Sequence, residues 1–280
     1  MKSLFCAAIP ALSFMLAACA GRGASPRAEE PTVVQVGSES HGSIASTPIA
    51  RAQPMHGCSR TDVSGYLEEM RGFMRDPDAD SNTSAAKALA LLGEREAVAF
   101  LQQISGRGFD AFSLAALVLL GDTDARRDAL SRAPSLDESD FTMIAYGFER
   151  SPDATITART KQIATTSQNP SEVQYAKALL ASMGVGYGDE VAKTMSAGSA
   201  SRDAVFAARS LMRSHGDEAR KVLEGVLADP HTDSLDLAGS AFGMFPEAAP
   251  IELLVGARKN AQSPYDKIWV DFALVAGCRR

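Results

Sequence analysis

The fold is decided by a stretch that reads FSLAALVLLGDTDARRDAL, from Phe112 to Leu130. Its first half is rich in alanine and leucine and predicts a helix. Gly121 follows, and glycine readily takes the left-handed conformation that ends a helix. Asp124 comes next, where an acid favours the start of another helix because the positive end of the helix dipole lies there. The stretch therefore predicts two helices joined by a tight turn.

Similar patterns recur on both sides of this stretch, with predicted turns near residues 93, 121, 147, 184, 216 and 246. A repeat length of about 30 residues is typical of helical solenoids. One helix before residue 76 and a last helix from Tyr265 to Ala276 flank the copies. Because one helix pair has too little apolar surface to fold alone, the pairs are expected to stack. Acids are predicted near the start of most second helices: Glu96, Asp124, Asp189 or Glu190, Glu218 and Glu247.

The copies that end at Leu101, Leu130 and Leu223 resemble the short HEAT-like repeats of the phycobilisome-lyase type, whose units read roughly AAxxLxxLGDxxAxxxL. The resemblance covers residues 84 to 256 of the chain. It implies an all-α fold, a right-handed α-α superhelix or solenoid of about six helix pairs. Most repeats of this class act as protein-binding surfaces. A non-repetitive helical bundle is the alternative fold.

Residues 1–18 have the features of a secretory signal peptide. A basic start at Lys2 is followed by an apolar stretch from Leu4 to Ala18. A helix that crosses a bilayer needs about 20 apolar residues. This stretch is shorter, so it predicts a signal peptide and not a membrane span.

The segment Leu16-Ala17-Ala18-Cys19 resembles a bacterial lipobox. The resemblance implies that Cys19 becomes the new amino terminus and carries acyl chains such as palmitate. More than one chain would anchor the protein stably in a membrane. Ala20 stands where an aspartate would retain the protein in the inner membrane, which favours the outer membrane, with the protein facing the periplasm. An ordinary signal peptide with an incidental cysteine is the alternative.

Residues 19–57 are rich in glycine, serine, proline and threonine and show no sustained helical or strand period. Such a segment cannot bury enough apolar area to offset the entropy lost on ordering, so a disordered, lipidated tether is predicted. The helical-repeat domain is expected over residues 58–280. The formal net charge of -6 and the pI near 5.3 give no electrostatic footprint for nucleic acid.

Cys58 and Cys278 are the cysteines that remain beyond the predicted lipidation site. Their separation has no zinc-ligand spacing, and neither a metal nor another cofactor is predicted. An oxidising envelope favours a disulfide, whereas an open stack of helix pairs at about 10 Å each would hold the chain ends roughly 50 Å apart. Either the array curls enough to bring its ends together, or the thiols pair between chains or stay free.

No catalytic site is predicted. Ser84 and Lys87 match the Ser-x-x-Lys of penicillin-binding enzymes, but the companion Ser-Asp-Asn and Lys-Thr-Gly elements are missing from the sequence. We interpret Ser84 as a helix cap and Lys87 as a solvated side chain. His215 is expected to interact with the carboxyl end of a helix. Trp269 is expected to close the end of the core, and the stretch after Gly239 to form a small-residue helix face.

Arg126 with Arg127, and Arg220 with Lys221, occupy matching places in two of the second helices. In HEAT-like solenoids the second helices usually line the concave face. The resemblance therefore implies that these basic pairs bind acidic groups of a partner. The alternative is that they are solvated partners of nearby acids on the same helix.

These features predict a membrane-anchored, non-catalytic helical-repeat lipoprotein that acts as a protein-binding scaffold or adaptor in the bacterial cell envelope. Its partners would be the membrane, through the lipid on Cys19, and an unidentified envelope protein. Two alternatives stay open. One is an enzyme or an accessory lyase-like activity, which would need Ser84 or His215 beside a buried carboxylate. The other is a peptidoglycan-binding module.

Overall fold

The computed structural model describes residues 57–76, 81–197 and 201–279. Within these ranges it contains fourteen α-helices, two short 3-10 helices (Ala133–Ser135 and Pro246–Ala248) and no strand, which confirms the all-α prediction. In chain order the α-helices are α1 (Arg60–Arg75), α2 (Asn82–Leu91), α3 (Arg95–Arg107), α4 (Ala111–Leu119), α5 (Thr123–Arg132), α6 (Glu138–Tyr146), α7 (Ala154–Thr166), α8 (Pro170–Ser182), α9 (Gly188–Ala197), α10 (Arg202–Leu211), α11 (Gly216–Ala228), α12 (Leu235–Met244), α13 (Ile251–Asn260) and α14 (Pro264–Cys278).

Each of the six predicted turns separates two of these helices. Gly93, Gly121 and Gly184 follow α2, α4 and α8 with φ values of 88°, 87° and 73°. This left-handed conformation ends a helix at no steric cost for glycine. Gly147 serves another purpose, because its φ of -59° is helical. A Cβ at this position would lie 2.7 Å from the carbonyl oxygen of Ala115, so Gly147 allows a close approach to α4.

Most second helices begin as their acids predict. Glu96, Asp124, Glu190 and Glu218 lie in the first turns of α3, α5, α9 and α11. Glu247 does not follow the prediction, because it lies in the short 3-10 helix before α13. The reason is local: Pro250 precedes α13 and delays its start, so the first-turn acid is Glu252 instead.

The helices form two layers, which we define by their contacts. The even-numbered helices α2 to α14 form the inner layer, in which each helix contacts the next one and α14 contacts α2. The odd-numbered helices form the outer layer, and each packs on one or two inner helices. The inner layer therefore returns on itself. The six predicted pairs, α2 with α3 through α12 with α13, supply the helices from α2 to α13. Helix α14 contacts both α1 and α2 and so completes the closure.

Small side chains allow the inner helices to pack closely. In α2, Ala85, Ala86 and Ala88 are all fully buried. In α12, a Cβ on Gly239 would lie 2.6 Å from the carbonyl oxygen of Trp269 in α14, which confirms the predicted small-residue face. Close approach of this kind increases the number of favourable dispersion contacts between helix backbones.

Ion pairs join the last helices to the first. Arg258 on α13 donates through Nε to Asp271 of α14 at 2.5 Å and also contacts Glu69 of α1. Arg279, just after α14, donates to the Leu92 carbonyl at 2.7 Å and lies 3.2 Å from Glu94. These contacts thus hold the two ends of the helical region together at the closure.

Helix α14 also joins two halves of the hydrophobic core. Ile268 and Phe272 pack with the apolar residues of α1 to α8, whereas Val270 and Leu274 pack with those of α8 to α13. No helix in the described part of the chain is both long enough and apolar enough to span a bilayer.

Candidate functional site

Two adjoining cavities open on the inner layer, and together we call them the groove. The central cavity has a volume of about 240 Å³ and receives residues from every inner helix except α8. The side cavity has a volume of about 400 Å³ and lies beside α6, α8, α10 and α12. Four residues line both cavities, so the two are continuous: Met143, Tyr146, Phe206 and Leu237.

Lys87 is the unusual residue of the central cavity. Its Nζ lies 4.6 Å from the ring centroid of Phe112 and 5.9 Å from that of Trp269. Among the described residues the ammonium group has neither a hydrogen-bond acceptor nor an ion-pair partner. Burial, together with the positive charge of Arg209, lowers the pKa of Lys87 from 10.5 to about 8. The central cavity thus contains a desolvated cation beside two aromatic rings.

Glu149, whose negative charge raises the pKa of Lys87, is already paired with another residue. Glu149 accepts hydrogen bonds from Arg209 at 3.0 and 3.3 Å, and both side chains are largely buried. The Arg209 guanidinium also lies 5.4 Å from the ring centroid of Tyr146. Burial raises the pKa of Tyr146, so its hydroxyl stays neutral and can donate a hydrogen bond into the groove. Arg209 and Glu149 therefore pair with each other, and among the described residues Lys87 has no ion-pair partner of its own.

The side cavity is more polar and its cation is neutralised. Arg202 makes a two-pronged contact with Asp236, at 3.0 and 2.8 Å, and donates to the Asp233 carbonyl at 2.8 Å. Hydroxyl, amide and carboxylate groups line the rest of the rim: Ser139, Thr142, Asn169, Ser171 and Glu172. Asp236 itself lines the central cavity. The central cavity thus combines mostly apolar side chains with an unpaired cation, and the side cavity has more hydroxyl and amide groups.

The four basic residues predicted to bind a partner lie elsewhere. Arg126 and Arg127 are on α5, and Arg220 and Lys221 are on α11. Both helices belong to the outer layer, and none of the four residues lines the central or the side cavity.

Three of these four residues have acidic neighbours. Arg126 lies 3.6 Å from Asp153, Arg127 lies 3.0 Å from Asp124, and Arg220 lies 3.5 Å from Glu224. Lys221 is exposed. Arg127 and Arg220 have the acidic partners on their own helices that the alternative describes, whereas the partner of Arg126 lies outside its helix. A role of the four residues in partner binding stays a prediction.

The interpretation of Ser84 and Lys87 was wrong. Ser84 lies inside α2 and is buried, because the helix already begins at Asn82, after Ser81. Lys87 is half-buried and not fully solvated, because it lines the central cavity of the inner layer. His215 precedes α11 and its Nδ1 lies 3.0 Å from the Ser214 hydroxyl. Neither Ser84 nor His215 lines the groove.

Trp269 has two roles. It packs in the core with Phe272, as predicted, at 5.7 Å between ring centroids. It also lines the central cavity beside Lys87. No motif indicates the second role, because the closure that brings α14 next to α2 joins residues far apart in the chain.

The described residues contain no group of three or more histidine, cysteine, aspartate or glutamate side chains placed to hold a metal ion. The predicted lipidation site, Cys19, lies outside the described residues, as do the signal peptide and nearly all of the tether. Cys58 and Cys278 are joined in the structure as an intrachain disulfide, with their Cα atoms 5.2 Å apart. Of the alternatives, the structure therefore has the one in which the array brings its own ends together.

Comparison of this chain with family models, curated proteins and solved structures found no match.

Proposed function

We propose that this chain is a non-catalytic, lipid-anchored lipoprotein of the bacterial cell envelope that binds a segment of another envelope protein in the groove. The helix pairs would form a right-handed α-α superhelix that closes on itself. The lipid on Cys19 and the tether up to residue 57 would hold this domain at the outer membrane, on the periplasmic side.

One observation carries the proposal: the groove is a continuous, largely apolar cleft with an unpaired cation. Binding sites are usually concave and apolar, with a few polar groups that fix the orientation of the ligand. Aromatic side chains, which dominate interface energetics, are concentrated here as Phe112, Tyr146, Tyr175, Phe206 and Trp269. Lys87 supplies the orienting charge. A groove with an uncovered apolar lining and an unpaired cation is better explained by a partner than by folding alone.

Photocrosslinking in the native envelope tests this proposal. A photoreactive phenylalanine derivative would replace Ser139, an exposed residue at the rim of the side cavity. The matched control replaces Ser131, an exposed serine on α5 of the outer layer. We expect a discrete adduct of one envelope protein from position 139 and none from position 131.

The opposite pattern would contradict the proposal. An adduct from position 131 alone would indicate that the outer, basic face binds the partner. Absence of any protein adduct from position 139, in a variant that is folded and membrane-bound, would show that the groove holds no protein segment.

A further inference from the structure

We propose that the groove recognises the C-terminal end of a polypeptide, with the terminal carboxylate on Lys87 and an apolar last side chain in the central cavity. The inference rests on the proposed function and specifies which part of the partner is bound.

The charge of Lys87 indicates an anionic ligand group. An ammonium group has three N–H donors, and the nearby rings of Phe112 and Trp269 interact with the charge without accepting conventional hydrogen bonds. Glu149 does not pair with Lys87, because it already pairs with Arg209. A ligand carboxylate would fill the free donors and neutralise the charge. The hydroxyl of Tyr146, which lines the same cavity and has no hydrogen-bond partner among the described residues, is a second donor for it.

The surroundings of Lys87 indicate a monovalent anion attached to an apolar body. The wall of the central cavity includes Leu91, Leu119 and Met143. These side chains offer no donors to a multiply charged, strongly hydrated anion, whose desolvation they would not compensate. Two other charged residues line this cavity, and both are already paired: Arg209 with Glu149 and Asp236 with Arg202. The unpaired charge of Lys87 therefore matches one carboxylate. The space of about 240 Å³ beside it suits a single apolar side chain.

The side cavity distinguishes a chain end from a free carboxylic acid. A polypeptide that ends at Lys87 must lead its backbone out of the central cavity, and a backbone needs hydrogen-bonding groups along its path. The side cavity supplies them at Ser139, Asn169 and Ser171, in a space of about 400 Å³. A free apolar acid would use only the central cavity. The polarity change along the groove therefore fits a chain end.

Peptide binding tests the inference on the full chain in lipid nanodiscs. The probes are fluorescein-labelled hexapeptides whose first four residues are Gly-Ser-Gly-Ser and whose last two are Ala-Leu or Ala-Phe. Each is prepared with a free C-terminal carboxylate and with a C-terminal carboxamide. Fluorescence anisotropy gives the affinities. Because a hydrogen-bonded charge pair is at stake, we expect the carboxylate form to bind about 10- to 100-fold more tightly.

Three variants assign that preference to Lys87. Lys87→Met should abolish the difference between carboxylate and carboxamide, and Lys87→Arg should keep most of it. Lys221→Met makes the same chemical change on the outer layer and should leave the difference intact. Circular dichroism and thermal unfolding establish that each variant is folded.

Several outcomes would overturn the inference. Equal affinity of the carboxylate and carboxamide peptides would contradict it. A preference for the carboxylate that survives Lys87→Met would also contradict it. Decanoate that binds the groove while both peptides fail would show a site for free apolar acids. Binding of the peptides only after deletion of residues 20–56 would show that the chain's own tether occupies the groove. If the position-139 adduct forms while no peptide binds, this inference fails and the proposed function stands; if neither occurs, both fail.

Discussion

The Cα atoms of Cys58 and Cys278 lie 5.2 Å apart, although 220 positions separate the two residues in the chain. Cys58 lies two residues before the start of α1, and Cys278 ends α14. Their proximity shows that the array of helices is closed, so that α2 and α14 face a common cavity. The position of the groove depends on this closure.

The disulfide should be intramolecular and stabilising. Non-reducing mass spectrometry of the purified protein should find one monomer without free thiols at Cys58 and Cys278. Closing a long loop in the unfolded chain stabilises the native state by about 2–4 kcal/mol. Reduction should therefore lower the midpoint of thermal unfolding. The control is the Cys58→Ser, Cys278→Ser double variant, whose midpoint should not respond to the reductant. Two unlinked thiols in the native protein would contradict this prediction.

Lys87→Met should stabilise the free protein, because it removes a desolvated charge from the central cavity. Burial lowers the pKa of Lys87 to about 8, below its value in the unfolded chain. The cost of this charge is fully present below pH 8 and is lost as the pH rises toward 10.5, because the folded state releases its proton first. At pH 7 we expect a gain of roughly 1–2 kcal/mol.

Chemical denaturation from pH 7 to 10 measures this effect. The difference in unfolding free energy between Lys87→Met and the wild type should shrink as the pH rises. Subtraction of the two curves removes the contributions of other groups that titrate in this range. Lys221→Met, on the outer layer, should show no such trend. A variant less stable than the wild type at pH 7 would mean that the aromatic contacts of Lys87 outweigh its desolvation.

Gly239→Ala should destabilise the packing of α12 on α14. The added Cβ would lie 2.6 Å from the backbone carbonyl carbon and oxygen of Trp269, so one helix must shift. Overpacking of this kind costs about 1–3 kcal/mol. Gly225→Ala is the matched control, because it lies in α11 with nothing within 4 Å of the new Cβ. There we expect a gain of about 0.5–1 kcal/mol from helix propensity. Equal effects in urea unfolding would contradict the close contact.

Cys19→Ser should release the protein from membranes, because the predicted lipid is its only predicted anchor. Fractionation of cells that express the variant should find it in the soluble fraction, whereas the wild type should sediment with membranes. Cys58→Ser serves as a control, since it also removes a cysteine but keeps the lipidation site. Membrane association that survives Cys19→Ser would reject the lipobox interpretation.

Local features of the fold could be predicted from the sequence, and the closure could not. The glycines at positions 93, 121 and 184 end helices as expected, because glycine determines the backbone conformation of its own turn. Closure brings α14 against α1 and α2, which lie at the other end of the helical region, and no one motif of the sequence encodes contacts between such distant helices. The distance between Cys58 and Cys278 expected for an open stack of helix pairs is therefore much longer than the one observed.

The candidate site was missed for the same reason. Lys87 looks like a surface residue in the sequence, since its neighbours in α2 give no sign of a cavity. Phe112 and Trp269, which lie beside its ammonium group, come from other helices. The one usable signal was Lys87 itself, a charged residue within a run of alanine and leucine that is otherwise suited to burial. The basic pairs on α5 and α11 were easier to notice but lie outside the groove.

The most direct test of the central claim compares the groove with the outer basic face, using the envelope protein identified by crosslinking. Ser240→Phe would fill the central cavity, which Ser240 lines. The comparison variant is Arg126→Glu with Arg127→Glu on α5. Affinities are measured with purified, folded proteins by calorimetry. We predict that Ser240→Phe weakens binding at least about 10-fold, a loss of roughly 1.4 kcal/mol, while the charge-reversal variant binds as the wild type does. Unchanged binding by Ser240→Phe together with loss of binding in the charge-reversal variant would contradict the account.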